Sequence, residues 1–133
     1  MQRLIDKIHK DVHSIFIWQP DKVTFGELER WDRPIKDANG NLHGDCDDFM
    51  LECYYQLREA GMDKSQLHLA VCRTEVGQRK RKAHFDHAVL LVDIDDTFLV
   101  LDNRSPYVYE IKYSGYDMWL RSNGNILNKW IEM

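Results

Sequence analysis

Only two residues, Asp95 and Asp96, separate the apolar runs His87 to Ile94 and Thr97 to Leu101. Two strand-like runs this close together predict an antiparallel hairpin with a two-residue turn. Ile94 then faces Thr97, and Val89 faces Asp102. His87 and Asp102 therefore fall on one face of the sheet, one diagonal step apart, where side chains meet. Leu67 to Arg73 reads as another strand and Val108 to Tyr113 as a further one. Trp119-Leu120 and Ile126 to Ile131 complete the chain on either side of Ser122-Asn123-Gly124-Asn125.

Upstream the period changes. Leu4, Ile5, Ile8, Val12, Ile15 and Phe16 form one apolar stripe at helical spacing. Gln19-Pro20-Asp21 is expected to end that helix, because proline lacks an amide donor and disfavours a helical residue before it. Thr24-Phe25-Gly26-Glu27 has the spacing of a capping box, which predicts a short helix running to about Trp31 and closed by Pro34. Lys36 to Gly44, with Asp37, Asn39, Gly40 and Asn41, reads as a loop. Asp45 to Ala60 is the clearest helix. Asp45 stands at the N-cap and Asp48 at N3, Cys46, Met50, Cys53 and Leu57 share one face, and Gly61 is a C-terminal stop. Helices followed by strands imply an α+β fold, with the helices packed on an antiparallel sheet.

With 133 residues, 44% hydrophobic and 30% charged, the chain is expected to form one domain over residues 1–133. A net charge of −4 gives no general affinity for nucleic acid. Arg79-Lys80-Arg81-Lys82 is short and lacks interleaved aromatics, so it reads as a solvated loop. No apolar run reaches the roughly 18 residues of a membrane span. The cysteines are Cys46, Cys53 and Cys72, an odd count with no CxxC pair. That favours free thiols in a reducing compartment. Met1 to Ile8 shows no basic stretch leading into an apolar one, so the expected location is cytoplasmic.

Cys46 lies in the first turn of the predicted helix, where free amide donors and the macrodipole favour a thiolate. Asp45, Asp47 and Asp48 oppose it, since nearby negative charge raises a thiol pKa. A histidinium or a bound cation would offset them. His87, with Asp102 holding the imidazole in one tautomer, would complete a nucleophile–base–orienter set. His84 and His43 are competing bases, and Asn103 is an alternative orienter. Asp45 has a structural role open to it as N-cap. Cys53 and Cys72 read as core residues, and His9, His13 and His68 as surface or structural ones.

Gly44-Asp45-Cys46-Asp47-Asp48-Phe49 resembles the Gly-Asp-Cys-Glu-Asp-Tyr signature of the bacterial transglutaminase-like cysteine proteinases, a family that includes a periplasmic protease releasing biofilm adhesins. Trp31 and Pro34, His87-Ala88-Val89-Leu90, Leu101-Asp102-Asn103, and Tyr116, Ser122-Asn123 and Trp130 resemble further family elements in the same order. The resemblance implies a papain-like, transglutaminase-like fold with Cys46 as nucleophile, His87 as general base and acid, and Asp102 as orienting carboxylate. It implies hydrolysis of a protein or peptide substrate through a thioester. A transglutaminase or deamidase on the same fold, or an idle peptide-binding module, remains open. In adhesin-cleaving members acidic residues beside the cysteine bind calcium, and the matching positions here are Asp45 and Asp47. Asp47 stands where the family has glutamate, one methylene longer.

Overall fold

The structure is a computed structural model describing residues 2–19, 33–74, 86–122 and 130–133. The proposed helix from Thr24 to Trp31, the basic run Arg79 to Lys82, His84, and the Asn123–Asn125 turn lie outside the described residues.

Helix α1 covers Gln2–Ile15 and buries Ile5, Ile8, His9 and Val12 along one stripe. It stops before the expected Gln19-Pro20 signal. Phe16–Trp18 leaves the helix as a short strand, β1, because it has a partner. That partner is Leu42–Gly44, strand β2, which pairs with it in parallel as Phe16↔Leu42 and Trp18↔Gly44. The loop expected over Lys36–Gly44 is thus a turn followed by a strand. Leu42 is fully buried, and Gly44 leads straight into the next helix.

Helix α2 spans Cys46–Glu59. Asp45 caps it, its Oδ1 accepting from Asp47 N at 3.1 Å, and a capping box closes in both directions: the Asp45 carboxylate accepts from the Asp48 amide, and Asp45 N donates to Asp48 Oδ2 at 3.1 Å. Gly61 follows with φ +100°, the left-handed stop that glycine adopts without strain. α2 buries residues all round its axis, Phe49, Met50, Cys53 and Leu57 among them, because α1 packs on one side and the sheet on another. The fully buried carboxylate of α2, Glu52, takes a two-pronged contact from Arg33, with Nε to Oε1 at 3.0 Å and Nη2 to Oε2 at 2.9 Å. That pair pins the segment after residue 32 to the helix.

The remaining strands are β3 (Leu67–Arg73), β4 (His87–Ile94), β5 (Thr97–Leu101), β6 (Tyr109–Glu110), β7 (Asp117–Ser122) and β8 (Trp130–Glu132). They form one antiparallel sheet in the order β6-β5-β4-β3-β7-β8. The β4–β5 hairpin has the expected register, Ile94↔Thr97. Asp95 and Asp96 have φ of 50° and 63°, the left-handed pair that matches the twist of a two-residue hairpin. Val108 to Tyr113 is strand only at Tyr109–Glu110, and Ile111–Tyr113 turns into a single 3-10 turn. The last strand is confined to Trp130–Glu132 within the described residues.

β3 and β4 are central and buried on both faces. Leu69, Val71, Ala88, Leu90 and Val92 face α2. Ala70, Val89, Leu91 and Val100 face the other way, covered by Phe98, Tyr109, Ile111, Tyr116 and Trp119. Among the described residues no helix is long and apolar enough to cross a membrane.

Candidate active site

Strand alternation puts His87 on the side of Val89, away from α2. Asp102 follows the end of β5 and continues the hairpin register opposite Val89. The two meet as the hairpin predicts. His87 Nε2 lies 2.7 Å from Asp102 Oδ1, and both side chains are 1% exposed. With a hydrogen on Nε2 donated to the carboxylate, the other ring nitrogen carries a lone pair. That Nδ1 is buried and has no hydrogen-bond partner.

Cys46 reaches the same place from the opposite layer. β5 ends at Leu101, so the edge of β4 at Ala88 is left without a strand partner there. The Ala88 amide lies close enough to the Cys46 sulfur to favour its thiolate, and the thiol donates to Asp47 Oδ1 at 3.8 Å. The nucleophile candidate therefore sits one peptide unit from the base candidate, at a gap made by the early end of a strand. Its position on α2 is fixed by the capping box, and Gly44 makes room for that box. A Cβ on Gly44 would stand 2.1 Å from Asp48 Oδ2 and 2.6 Å from Asp48 Cβ. Gly44→Ala is expected to open the box and lower stability by about 2 kcal/mol, measured as a fall in the urea midpoint; an unchanged midpoint would show that Asp48 can swing aside.

Asp102 is a hub. Besides His87 it accepts from the Arg104 amide at 2.9 Å, from the Tyr109 hydroxyl at 2.9 Å, and from the Tyr116 hydroxyl. Burial alone would push its carboxyl up. The hydrogen bond and charge of His87, with Tyr116 and the Arg104 amide, outweigh burial and hold it at about 2. Burial and the same carboxylate push both tyrosines far up, so they remain donors. The Tyr116 ring also packs edge-on against His87, 5.5 Å between centroids. Behind them His9 of α1, 1% exposed, places Nε2 3.1 Å from the Asp102 carbonyl oxygen.

The expected contest over Cys46 ionisation goes against the thiolate. Burial, then the charge of Asp47, push the thiol up to about 12, with Asp45 adding to the effect and the Ala88 amide and Arg104 opposing it. Asp45 and Asp47 are each 8% exposed. Their oxygens and the Cys46 sulfur lie within 4.8 Å of one another. Two buried carboxylates this close offer hard oxygen donors for a calcium ion, a partial shell of the about six to eight it takes. Asp45 is also the helix cap, so the structural role foreseen for it is real.

His43 does not compete as base, because Nε2 is 2.7 Å from Asp37 on the exposed side of β2. The hydrogen-bond partner of His87 Nε2 is Asp102 and not Asn103. Cys53 and Cys72 are buried free thiols, as expected, with Cys72 opposite His87 in the sheet. Tyr109 is the residue that sequence reasoning passed over, while His9, read as surface or structural, is buried against Asp102. His9 stood in the apolar stripe of α1, four residues after Ile5, which marked it as inward-facing.

A helix capped by Asp45-Cys46, laid on an antiparallel sheet that carries His87, is the α+β architecture of the transglutaminase-like cysteine peptidases. The chain belongs to the bacterial transglutaminase-like cysteine proteinases, whose sequence profile matches residues 1–133. Among solved structures it is similar to LapG of Legionella pneumophila, with a TM-score of 0.59 and 18% identity over 86% of this chain and 60% of that one. The calcium-bound form of LapG gives 0.58 and 20% identity over 88% and 70%. The EGTA-treated form gives 0.59 and 18% over 86% and 59%. The chain thus spans about 60% of the length of the first of these structures, and at such identities the likeness is one of fold. Comparison with curated protein sequences gives no match. Family membership corrects the cytoplasmic expectation, since LapG-like members are periplasmic proteases. The first residues of a sequence that covers part of its relatives carry no information on a leader.

Proposed function

We propose that the protein is a cysteine peptidase in which Cys46, His87 and Asp102 act as nucleophile, base and orienter. The observation that carries this is the buried His87–Asp102 pair with Nδ1 left unpartnered, next in the chain to Ala88, whose amide lies close enough to Cys46 to favour its thiolate. In the forward step Nδ1 takes the thiol proton and the sulfur attacks the substrate carbonyl carbon. The backbone amide of Cys46, at the start of α2, is the candidate donor to the developing oxyanion. The imidazolium then protonates the leaving amine, which departs and leaves a thioester on Cys46. Water gives its proton to Nδ1, attacks the thioester, and restores the thiol. Asp102 stays ionised throughout and steadies the imidazolium.

Asp45 and Asp47 would hold calcium, and a cation there would offset the charges that now oppose the thiolate. The substrate is a polypeptide, in keeping with the family.

The test is the pH dependence of Cys46 alkylation by iodoacetamide, with the site read by mass spectrometry, in the wild type and His87→Ala. In EGTA the midpoint is expected well above the free-thiol value of about 8.5, and calcium is expected to bring it down. His87→Ala should remove the reactivity that remains at neutral pH. If Cys46 reacts no faster than Cys53 and Cys72 in either protein and either buffer, the peptidase reading is lost. If calcium leaves the midpoint and the thermal unfolding temperature where they were, the metal reading is lost on its own.

A further inference from the structure

α1, β1 and the segment 103–108 wall a groove in two parts. Its outer part, about 670 Å³, is bounded by Asp6, Lys10, His13 and Tyr107 among others. Its inner part, about 450 Å³, is lined by His13, Phe16, Trp18, Asn103 and Arg104. His13 borders both.

The charge in this groove runs against that of the whole chain, which is −4. Among the described residues neither Lys10 nor Arg104 has an ion-pair partner, whereas neighbouring Lys7 is taken by Asp11 at 2.7 Å. The carboxylate in the lining, Asp6, accepts from the Gln2 amide at 3.0 Å. Arg104 is placed by its own backbone, whose N–H is bound to Asp102 Oδ1. The same Asp102 oxygen is bonded to His87, so Arg104 stands beside the His87–Asp102 pair. Beside it, Asn103 Oδ1 is buried with no hydrogen-bond partner. A buried acceptor without a donor is an unmet demand, and a peptide N–H laid in the inner groove would meet it. Phe16 and the half-exposed Trp18 add aromatic walls.

We propose that this groove receives an acidic segment of the protein substrate, with Arg104 the specificity-determining residue next to the scissile bond and Lys10 a second anion contact farther out. The inference rests on Cys46 being the nucleophile. It predicts that the enzyme selects sites flanked by aspartate or glutamate.

Two alkylating reagents test the inner part. Iodoacetate and iodoacetamide both need the thiolate, so the ratio of their rates at Cys46 cancels its abundance and reads the local potential. Arg104→Gln is expected to lower the iodoacetate to iodoacetamide ratio about fivefold at low salt. The outer part is tested by fluorescence anisotropy with the full chain carrying Cys46→Ala and two labelled peptides that differ only in glutamate versus glutamine. The glutamate peptide is expected to bind roughly tenfold tighter, and high salt, Arg104→Gln and Lys10→Gln should each erode that margin. An unchanged reagent ratio in Arg104→Gln, or equal binding of the two peptides, would overturn the proposal while leaving the peptidase reading standing. Cys46 inert to both reagents would remove the nucleophile and overturn both together.

Discussion

His87→Gln is expected to lower kcat/KM for peptide hydrolysis by about a thousandfold or more, with a much smaller change in stability. Glutamine fills most of the imidazole volume and can keep a donor toward Asp102, so the three other donors to that carboxylate stay in place. What it lacks is a group that can take the Cys46 proton and return it to the leaving amine. The effect should therefore fall on kcat, with KM nearly unchanged. Circular dichroism and the urea midpoint serve as controls for folding. A variant that stays folded and loses less than about tenfold would show that Nδ1 is not the base.

Asp102→Ala is expected to destabilise the fold by about 3 kcal/mol or more, which is large for one residue. It strips the acceptor from a histidine, two tyrosines and a backbone amide in a site that water does not reach. Asp102→Asn keeps one acceptor oxygen and should cost less, and it can still orient an imidazole. The wild-type carboxyl, held at about 2 by its partners, adds a pH signature. A folded-state pKa below the unfolded value of about 3.9 stabilises above that value and loses its effect as pH falls through about 2. The difference amounts to about 2 kcal/mol at neutral pH. Urea midpoints recorded between neutral pH and about 2 should fall with acid more steeply in the wild type than in Asp102→Asn. Parallel curves would mean that the hub is not ionised as described.

Much of this site was legible because its signals are local. The N-cap, N3 carboxylate and stop glycine bracket α2 within a few residues of its ends. Asp95 and Asp96 set a register that brings His87 to Asp102 without any long-range knowledge. β1 and β2 were missed for the opposite reason. They are three residues each, and what makes them strands is a parallel pairing between Phe16–Trp18 and Leu42–Gly44. Nothing in either tripeptide announces that partner, and Asn39-Gly40-Asn41 next door reads as loop. The 3-10 turn at Ile111–Tyr113 was likewise hidden behind a β-branched and aromatic run. His9 shows the division within one residue. Its inward direction could be read from the stripe of α1, while its target, the carbonyl of Asp102, lies 93 positions away. Of the three carboxylates beside Cys46, Asp47 and Asp45 oppose the thiolate as their positions in the sequence imply, while burial, which sequence position does not reveal, is the larger influence.

The wiring of Asp102 also sets a timetable. In chain order the helix that carries Cys46 comes first, then His87 on β4, then the carboxylate. The tyrosines that hold the carboxylate follow, Tyr116 last of the set. Until the chain has grown past that point, and β7 has docked beside β3, His87 has no rigid partner and Cys46 no organised base. The antiparallel sheet cannot close earlier, because its sequence-distant pairings wait on synthesis. A site wired in this way is completed only once the strand after Tyr116 has docked beside β3.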